Sequence, residues 1–249
     1  MVFDFHTHLY PGLEDEMKRA KVDKAVVLMP FKRSLYTPKG RISYATKEEI
    51  LDGNETVISA SSDKLIPFAW LNYKIPESDK KLHDYVQRGC KGLKLHPVVD
   101  NYSLQSPMLE PLIETAADLG IPIMIHTGWR PKGSVEDVGR LAKKYPDAKF
   151  VAAHMKEEYG VNKRLSHIRV ASQNDNVWLE TSYAEHPRRI AEAVKQIGSE
   201  RLLFGSDYPF GSTDISWDMT KITCANISDK DKRKILQENA LDLLNKRKS

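Results

Sequence analysis

The chain of 249 residues has only two cysteines, Cys90 and Cys224, which lie far apart in the sequence. Such a pair cannot build the disulfide framework of a small secreted protein, so we expect a reduced, cytoplasmic setting. No apolar run approaches the roughly 18 residues of a membrane span, and we expect neither a membrane partner nor a secretory leader. These absences favour a cytoplasmic protein.

The chain also lacks an excess of charge of one sign, since 38 basic and 34 acidic residues leave a net charge of +4. This balance gives no large surface field, and the densest basic cluster, at residues 246–248, is typical of a solvated tail. We therefore predict that nucleic acid is not a partner. The sequence leaves the oligomeric state open, and a homo-oligomer is one of the alternatives.

Short apolar runs that are typical of strands alternate with charged stretches that carry apolar residues at helical spacing. The strand candidates are Val2–His6, Lys24–Met29, Leu65–Leu71, Gly92–His96, Pro122–His126, Lys149–His154, Val177–Thr181 and Arg201–Gly205. This alternation predicts βα units around a parallel sheet. A chain of 249 residues that is 41% hydrophobic can bury one large core, and about 250 residues is the usual size of a βα barrel.

Two architectures fit the alternation, an open doubly wound sheet and a closed barrel of eight βα units. The first strand candidate is not followed by a glycine-rich dinucleotide fingerprint, which weakens the open sheet. Polar residues at the ends of several candidates favour closure, because active sites of such barrels gather there. We predict an α/β fold, a (β/α)8 TIM barrel, with residues 1–249 as a single domain. Pro30–Ser62 is predicted to be an insertion between strands two and three, beside or over the barrel mouth.

The placement of histidine is the clearest chemical signal. Side chains alternate along a strand, so His6 and His8 point the same way, and neutral imidazole is a standard ligand of zinc and similar metals. Later strand ends carry polar residues whose parity also allows them to face inward, namely Lys94, His96, His126, His154 and Asp207. One such histidine is usually satisfied by a backbone group. Several together favour a metal site at the mouth.

Five segments in order along the chain carry a family resemblance: DFHTH at 4–8, KGLKLHP at 91–97, IHTG at 125–128, AH at 153–154 and LFGSDYP at 203–209. They resemble the amidohydrolase superfamily, in its amidohydrolase-related (amidohydrolase 2) branch of hydrolases and non-oxidative decarboxylases. The resemblance implies a metal-dependent barrel. It matches His6, His8, His126 and Asp207 to metal ligands and His154 to the histidine of the sixth strand.

Three imidazoles and one carboxylate would hold one divalent ion, zinc or else manganese, with a position left for water whose pKa falls to about 7. Asp207 would take the proton of that water, and His154 would polarise the substrate carbonyl or steer the water. We therefore predict a metal-dependent hydrolase of an amide, lactone or ester of a small molecule. The alternative is a non-oxidative decarboxylase of an aromatic or unsaturated acid.

Lys94 decides between one metal and two. In binuclear members of the superfamily a carboxylated lysine of the fourth strand bridges two ions, and His154 would bind the second. A single ion is usual in the branch that the chain resembles, so we predict one ion. Lys94 and His96 would then face the substrate, as would Trp129 and Arg130 in the loop after the fifth strand.

Two further readings of the same residues are less favoured. Metal-dependent nucleases on related barrels generally have a glutamate where this chain has Lys94. A non-enzymatic barrel with a structural metal is also disfavoured, because structural zinc sites are typically closed and rich in cysteine.

Overall fold

A computed structural model gives the fold and describes residues 1–30, 45–128, 132–156 and 166–245. Within these ranges the strands are β1 (Phe3–His8), β2 (Lys24–Leu28), β3 (Leu65–Pro67), β4 (Ala69–Trp70), β5 (Leu93–Leu95), β6 (Pro122–His126), β7 (Lys149–Ala153), β8 (Val177–Glu180) and β9 (Leu202–Leu203). The α-helices are α1 (Leu13–Ala20), α2 (Lys47–Ser59), α3 (Ser78–Gln87), α4 (Glu110–Asp118), α5 (Val135–Lys144), α6 (Ser166–Ser172), α7 (Pro187–Ile197), α8 (Ile215–Thr223), α9 (Asp229–Arg233) and α10 (Asn239–Asn245). A π-helical turn at Lys234–Glu238 joins the last two helices.

The strands are parallel and close into a barrel. They pair in chain order, β1 to β3 in one ladder and β4 to β9 in another. β3 and β4 form one barrel strand interrupted at Phe68, whose N–H still donates to the Val27 carbonyl at 3.1 Å. The ring closes where the Phe5 N–H donates to the Phe204 carbonyl at 2.7 Å and the His8 N–H to the Tyr208 carbonyl at 2.8 Å. The predicted βα barrel is confirmed.

The strand boundaries differ from the predicted ones at both sides of this closure. β1 runs through His8 rather than ending at His6, because the His8 N–H finds a partner across the closing seam. The predicted run Arg201–Gly205 keeps only Leu202–Leu203 as a strand. Beyond Leu203 the chain leaves the strand and runs to the barrel mouth, where Asp207 lies.

Part of the predicted insertion, Pro30–Ser62, is a regular helix of the barrel. Its second half forms α2, which starts at a capping box of Thr46 and Glu49 and buries Ile50 and Val57. The Asn54 side chain of α2 bonds both the N–H and the carbonyl of Trp70 at 2.8 Å, so this helix is the regular layer outside the third barrel strand. Residues 31–44 lie outside the described residues, and a cover over the mouth stays a prediction.

Two helix boundaries follow from the local sequence. α4 ends where Gly120 adopts a φ of 67°, a conformation that glycine tolerates without strain. Ser228 starts α9 by accepting the Asp231 N–H at 3.1 Å. Within the described ranges, no helix has the length and apolar character that a membrane span requires.

Candidate metal centre and active site

Five barrel strands bring the predicted polar residues to one face of the barrel. His6 and His8 come from β1 and Lys94 from β5, while His126 ends β6. Three residues just beyond strand ends complete the cluster. They are His96 after β5, His154 after β7 and Asp207 after β9. All of them are buried except His126, which is half-buried. The structure therefore brings together the described residues that the sequence predicted to share a site.

The carboxylate of Asp207 lies at the centre of this cluster. Its Oδ1 atom is 3.1 Å from His6 Nε2 and 3.3 Å from His8 Nε2. The other ring nitrogen of His8, Nδ1, is 2.9 Å from the carbonyl oxygen of Met29. A carbonyl can only accept, so Nδ1 carries the proton in neutral His8 and Nε2 turns a lone pair toward Asp207.

His154 and His126 form the other side of the cluster. His154 Nδ1 is 2.8 Å from the hydroxyl of Ser182, and His154 Nε2 is 2.9 Å from His126 Nδ1. The remaining nitrogen, His126 Nε2, is buried and has no hydrogen-bond partner among the described residues. A buried nitrogen in this position costs free energy unless something binds it.

Burial keeps four rings of the cluster, those of His6, His96, His126 and His154, neutral. It lowers the pKa of His6, His126 and His154 well below the usual range of histidine, and the neighbouring positive charges add to the shift. The pKa of His96 falls for the same reason. Metal ligation requires deprotonated ring nitrogens, so the rings are already in the binding form at neutral pH.

The donor set fits a divalent cation. One ligand atom from each of His6, His154 and Asp207 lies within 4.8 Å of the others, and His8 Nε2 also contacts Asp207. Imidazole nitrogens and a carboxylate oxygen are the ligands of zinc and manganese sites. Several electron-pair donors that face one another repel, and a cation between them removes that repulsion.

The tightest group differs in one respect from the predicted ligand set. It includes His154, for which the sequence suggested polarisation of the substrate carbonyl or binding of a second metal, in addition to His6 and Asp207. His126, a predicted ligand, instead meets His154 through its Nδ1 atom. The predicted set of His6, His8, His126 and Asp207 stays a prediction.

Lys94 places an ammonium group inside this cluster. It is fully buried, and its Nζ lies 3.3 Å from His6 Nε2. Burial lowers the pKa of Lys94 to about 8, against the charges of Asp207, Glu180 and Asp100. Near neutral pH the group is therefore mostly protonated, and it is the buried cation that a substrate anion would meet.

A stack of three rings connects the ends of β4, β5 and β6. The ring of Trp70 stacks on His96 at 5.1 Å, and His96 stacks on His126 at 3.8 Å between ring centroids. Trp70 is itself held by its indole N–H, which donates to Asp100 at 3.0 Å. Parallel rings restrict one another, so this stack orients His126.

Aromatic edges border the cluster on two other sides. Phe210 lies edge-on to His8 at 4.9 Å and Tyr183 edge-on to His154 at 5.0 Å. The backbone is left-handed at His154, Tyr183 and Asp207, with φ between 56° and 68°. Such strain in residues other than glycine is typical of functional sites.

Two residues of the site, Glu180 and Ser182, were not predicted from the sequence. Glu180 ends β8, is fully buried, and lies with its Oε2 2.8 Å from His6 Nδ1. The available signal was a single carboxylate at the end of an otherwise apolar strand. Trp129 and Arg130, which were predicted to contact substrate, lie outside the described residues.

Two other residues with titratable side chains, His83 and Cys90, lie outside the cluster. His83 lies on α3 and is exposed. Cys90 is buried, and burial raises the pKa of its thiol to about 12, so it is inert packing at neutral pH.

Comparisons with known proteins agree with the barrel fold. A gamma-resorcylate decarboxylase of Polaromonas is 29% identical over 119 residues, which cover 41% of this chain and 36% of that protein. The match therefore spans about a third of the relative's length. Two solved structures share the fold.

The first is a TIM-barrel protein of Bordetella bronchiseptica, with a TM-score of 0.75, 20% identity and 98% coverage of both chains. The second is a dihydroxybenzoic acid decarboxylase of Polaromonas with bound manganese and 2-nitroresorcinol, with a TM-score of 0.69, 16% identity and coverage of 98% and 96%. The sequence profile of the amidohydrolase family matches residues 3–246. The chain therefore belongs to the amidohydrolase family.

Proposed function

We propose that the protein is a metal-dependent, non-oxidative decarboxylase of a hydroxylated aromatic acid. The observation that carries the proposal is the cluster of buried imidazoles around Asp207, with the ammonium of Lys94 beside it. Relatives named as decarboxylases favour this reaction over the hydrolysis that the sequence analysis ranked first. Hydrolysis keeps the support of the family description alone.

His6, His8, His126 and Asp207 would hold the metal ion, zinc or manganese. The unpartnered, buried Nε2 of His126 supports this assignment, because a cation would satisfy it. A bound divalent ion would act as a Lewis acid that binds and polarises oxygen atoms of the substrate. We propose one ion, since Lys94 as an ammonium group cannot bridge two.

The chain's own residues would bind the substrate and move the proton. The buried Lys94 ammonium would attract the anionic substrate, and the edges of Phe210 and Tyr183 would border a planar ring. Unlike hydrolysis, decarboxylation does not require the carbonyl of an amide or ester to be polarised. A single proton has to reach one ring carbon.

Asp207 is the proposed proton carrier because its carboxylate lies centrally, within 3.3 Å of two imidazoles. Asp207 would take up a proton from water and pass it to the ring carbon that bears the substrate's carboxylate. The bond from that carbon to the carboxylate then breaks, its electron pair returns to the ring, and carbon dioxide leaves. His154 is the second candidate, through the Nε2 atom that faces the cluster.

The test combines metal content with product analysis. Protein purified without chelators should carry about one divalent ion per chain and release carbon dioxide from dihydroxybenzoates. The H6A variant serves as the control, since it should lose both metal and activity. Hydrolysis of lactones or amides without carbon dioxide release would replace the proposal by the hydrolase. A wild-type protein that binds no zinc or manganese would overturn both.

A further inference from the structure

Glu180 is a buried carboxylate on which four hydrogen bonds converge. Its Oε2 atom is 2.8 Å from His6 Nδ1, accepts the hydroxyl of Ser182 at 2.8 Å, and accepts the His154 N–H at 3.2 Å. Its Oε1 atom accepts the N–H of Ser182. Its side chain also lies under Gly205, where a Cβ atom would meet Oε1 at 2.3 Å. The carboxylate is therefore fixed from several directions.

These contacts determine which nitrogen of each ring carries the proton. A carboxylate that already accepts two backbone N–H groups accepts from His6 as well, so His6 Nδ1 is protonated and Nε2 is a lone pair. The hydroxyl of Ser182 gives its only proton to Glu180. Its oxygen must therefore accept from His154 Nδ1 at 2.8 Å, which leaves His154 Nε2 as a lone pair.

The same reasoning extends to a third ring. Because His154 Nε2 is an acceptor, the contact at 2.9 Å requires His126 Nδ1 to donate. The lone pair of His126 then lies on Nε2, the buried atom that has no hydrogen-bond partner among the described residues. The hydrogen bonds of Glu180 thus determine which ring nitrogen carries the proton in three imidazoles.

We propose that Glu180 is a positioning residue, which sets the tautomer of His6 directly and that of His154 through Ser182. The Nε2 lone pair of His6 then faces the metal centre. The Nε2 lone pair of His154 accepts from His126 Nδ1, which leaves the Nε2 lone pair of His126 for the metal. The inference deepens the proposed function and rests on it for the use of these lone pairs. Partners that lie outside a ligand shell commonly orient ligating histidines in this way.

The variant E180Q tests the proposal sharply because an amide cannot reproduce a carboxylate. If the amide oxygen faces His6, the NH₂ group meets the Ser182 N–H, and two donors oppose each other. If the amide turns over, its NH₂ group faces His6 Nδ1 and forces the proton of His6 onto Nε2. The variant S182A removes the connection to His154 alone and leaves the bond between Glu180 and His6 in place.

Asp4 offers a matched control. It is an equally buried carboxylate, and it accepts the N–H groups of His6 and Ser206 at 3.0 and 3.1 Å but touches no ring nitrogen. Burial raises its pKa to about 8. D4N replaces the side chain with an amide of the same shape, whose oxygen can still accept both N–H groups.

The experiment records ring ¹⁵N shifts of the metal-free proteins labelled at histidine, and then titrates each with Mn²⁺ in competition with a chelator. We expect E180Q to change the ring shifts of His6 and to weaken Mn²⁺ binding about 10- to 100-fold, the usual effect of losing such a partner. S182A should change the ring shifts of His154 but not those of His6. D4N should change neither set of shifts.

Ring shifts of wild-type character in both E180Q and S182A would overturn the inference. So would an unchanged Mn²⁺ affinity in a folded E180Q. Should E180Q fail to fold, S182A alone decides through the shifts of His154. A failure of the proposed function is distinguishable, because it concerns carbon dioxide release by the wild-type protein, whereas the ring shifts are measured without metal or substrate.

Discussion

The buried histidine below the site, His167, allows a quantitative test of the structure. It lies on α6, and its Nε2 is 2.7 Å from the hydroxyl of Thr127, which itself donates to the Ala153 carbonyl. His167 Nε2 therefore carries the proton, and its Nδ1 has no hydrogen-bond partner within the described chain. Burial, and then the charge of Arg189, lowers the pKa of His167 to about 3.

The sign of the pH dependence follows from this depressed pKa. In the unfolded chain His167 binds a proton below about pH 6.5. In the folded protein the His167 ring stays neutral down to about pH 3. The contribution of His167 to stability is therefore complete above pH 6.5 and declines as the pH falls toward 3. Because one pKa unit corresponds to about 1.4 kcal/mol, the loss between pH 7 and pH 4.5 is about 2.5 kcal/mol.

The variant H167Q isolates this contribution. Its amide can still donate to Thr127 but does not titrate, so its stability relative to wild type should rise by about 2.5 kcal/mol from pH 7 to pH 4.5. Urea unfolding at both pH values, with a chelator present, measures the difference. H83Q, at an exposed histidine of α3, is the control and should follow wild type. Parallel pH profiles of H167Q and wild type would refute the buried, neutral His167.

Three further predictions concern the metal, the proton carrier and the core. Prolonged dialysis against a chelator should abolish carbon dioxide release, and Mn²⁺ or Zn²⁺ should restore it; activity that survives complete metal removal would contradict the metal centre. D207N should keep much of its metal while turnover falls by about 10² to 10⁴, the usual contribution of general acid–base catalysis. If D207N stays near wild-type turnover while His154→Asn loses turnover but not metal, the proton carrier is His154. G92A should lower the free energy of unfolding in urea by about 1 to 3 kcal/mol, since its Cβ would meet the Phe68 ring at 2.3 Å; unchanged stability would mean that this ring can move aside.

The order of elements and the positions of the polar strand ends could be predicted from the sequence. Apolar runs of strand length between amphipathic stretches require a parallel α/β fold, because each unit must bury one face against the next. The alternation of side chains along a strand then puts His6 and His8 on one face, as the structure has them. These features depend on local periodicity, which a sequence carries in full.

The tertiary structure alone decided which polar groups meet. Glu180 and His6 are separated by 174 positions and touch only because the barrel closes. The stack of Trp70, His96 and His126 likewise depends on the register of three neighbouring strands. Strand parity states which face a side chain takes but not its distance from another strand's residues. The sequence therefore determined which residue types lie at the barrel mouth. The closed barrel decided which ring nitrogens carry protons there, because the tautomer of a histidine depends on the partner at hydrogen-bond distance.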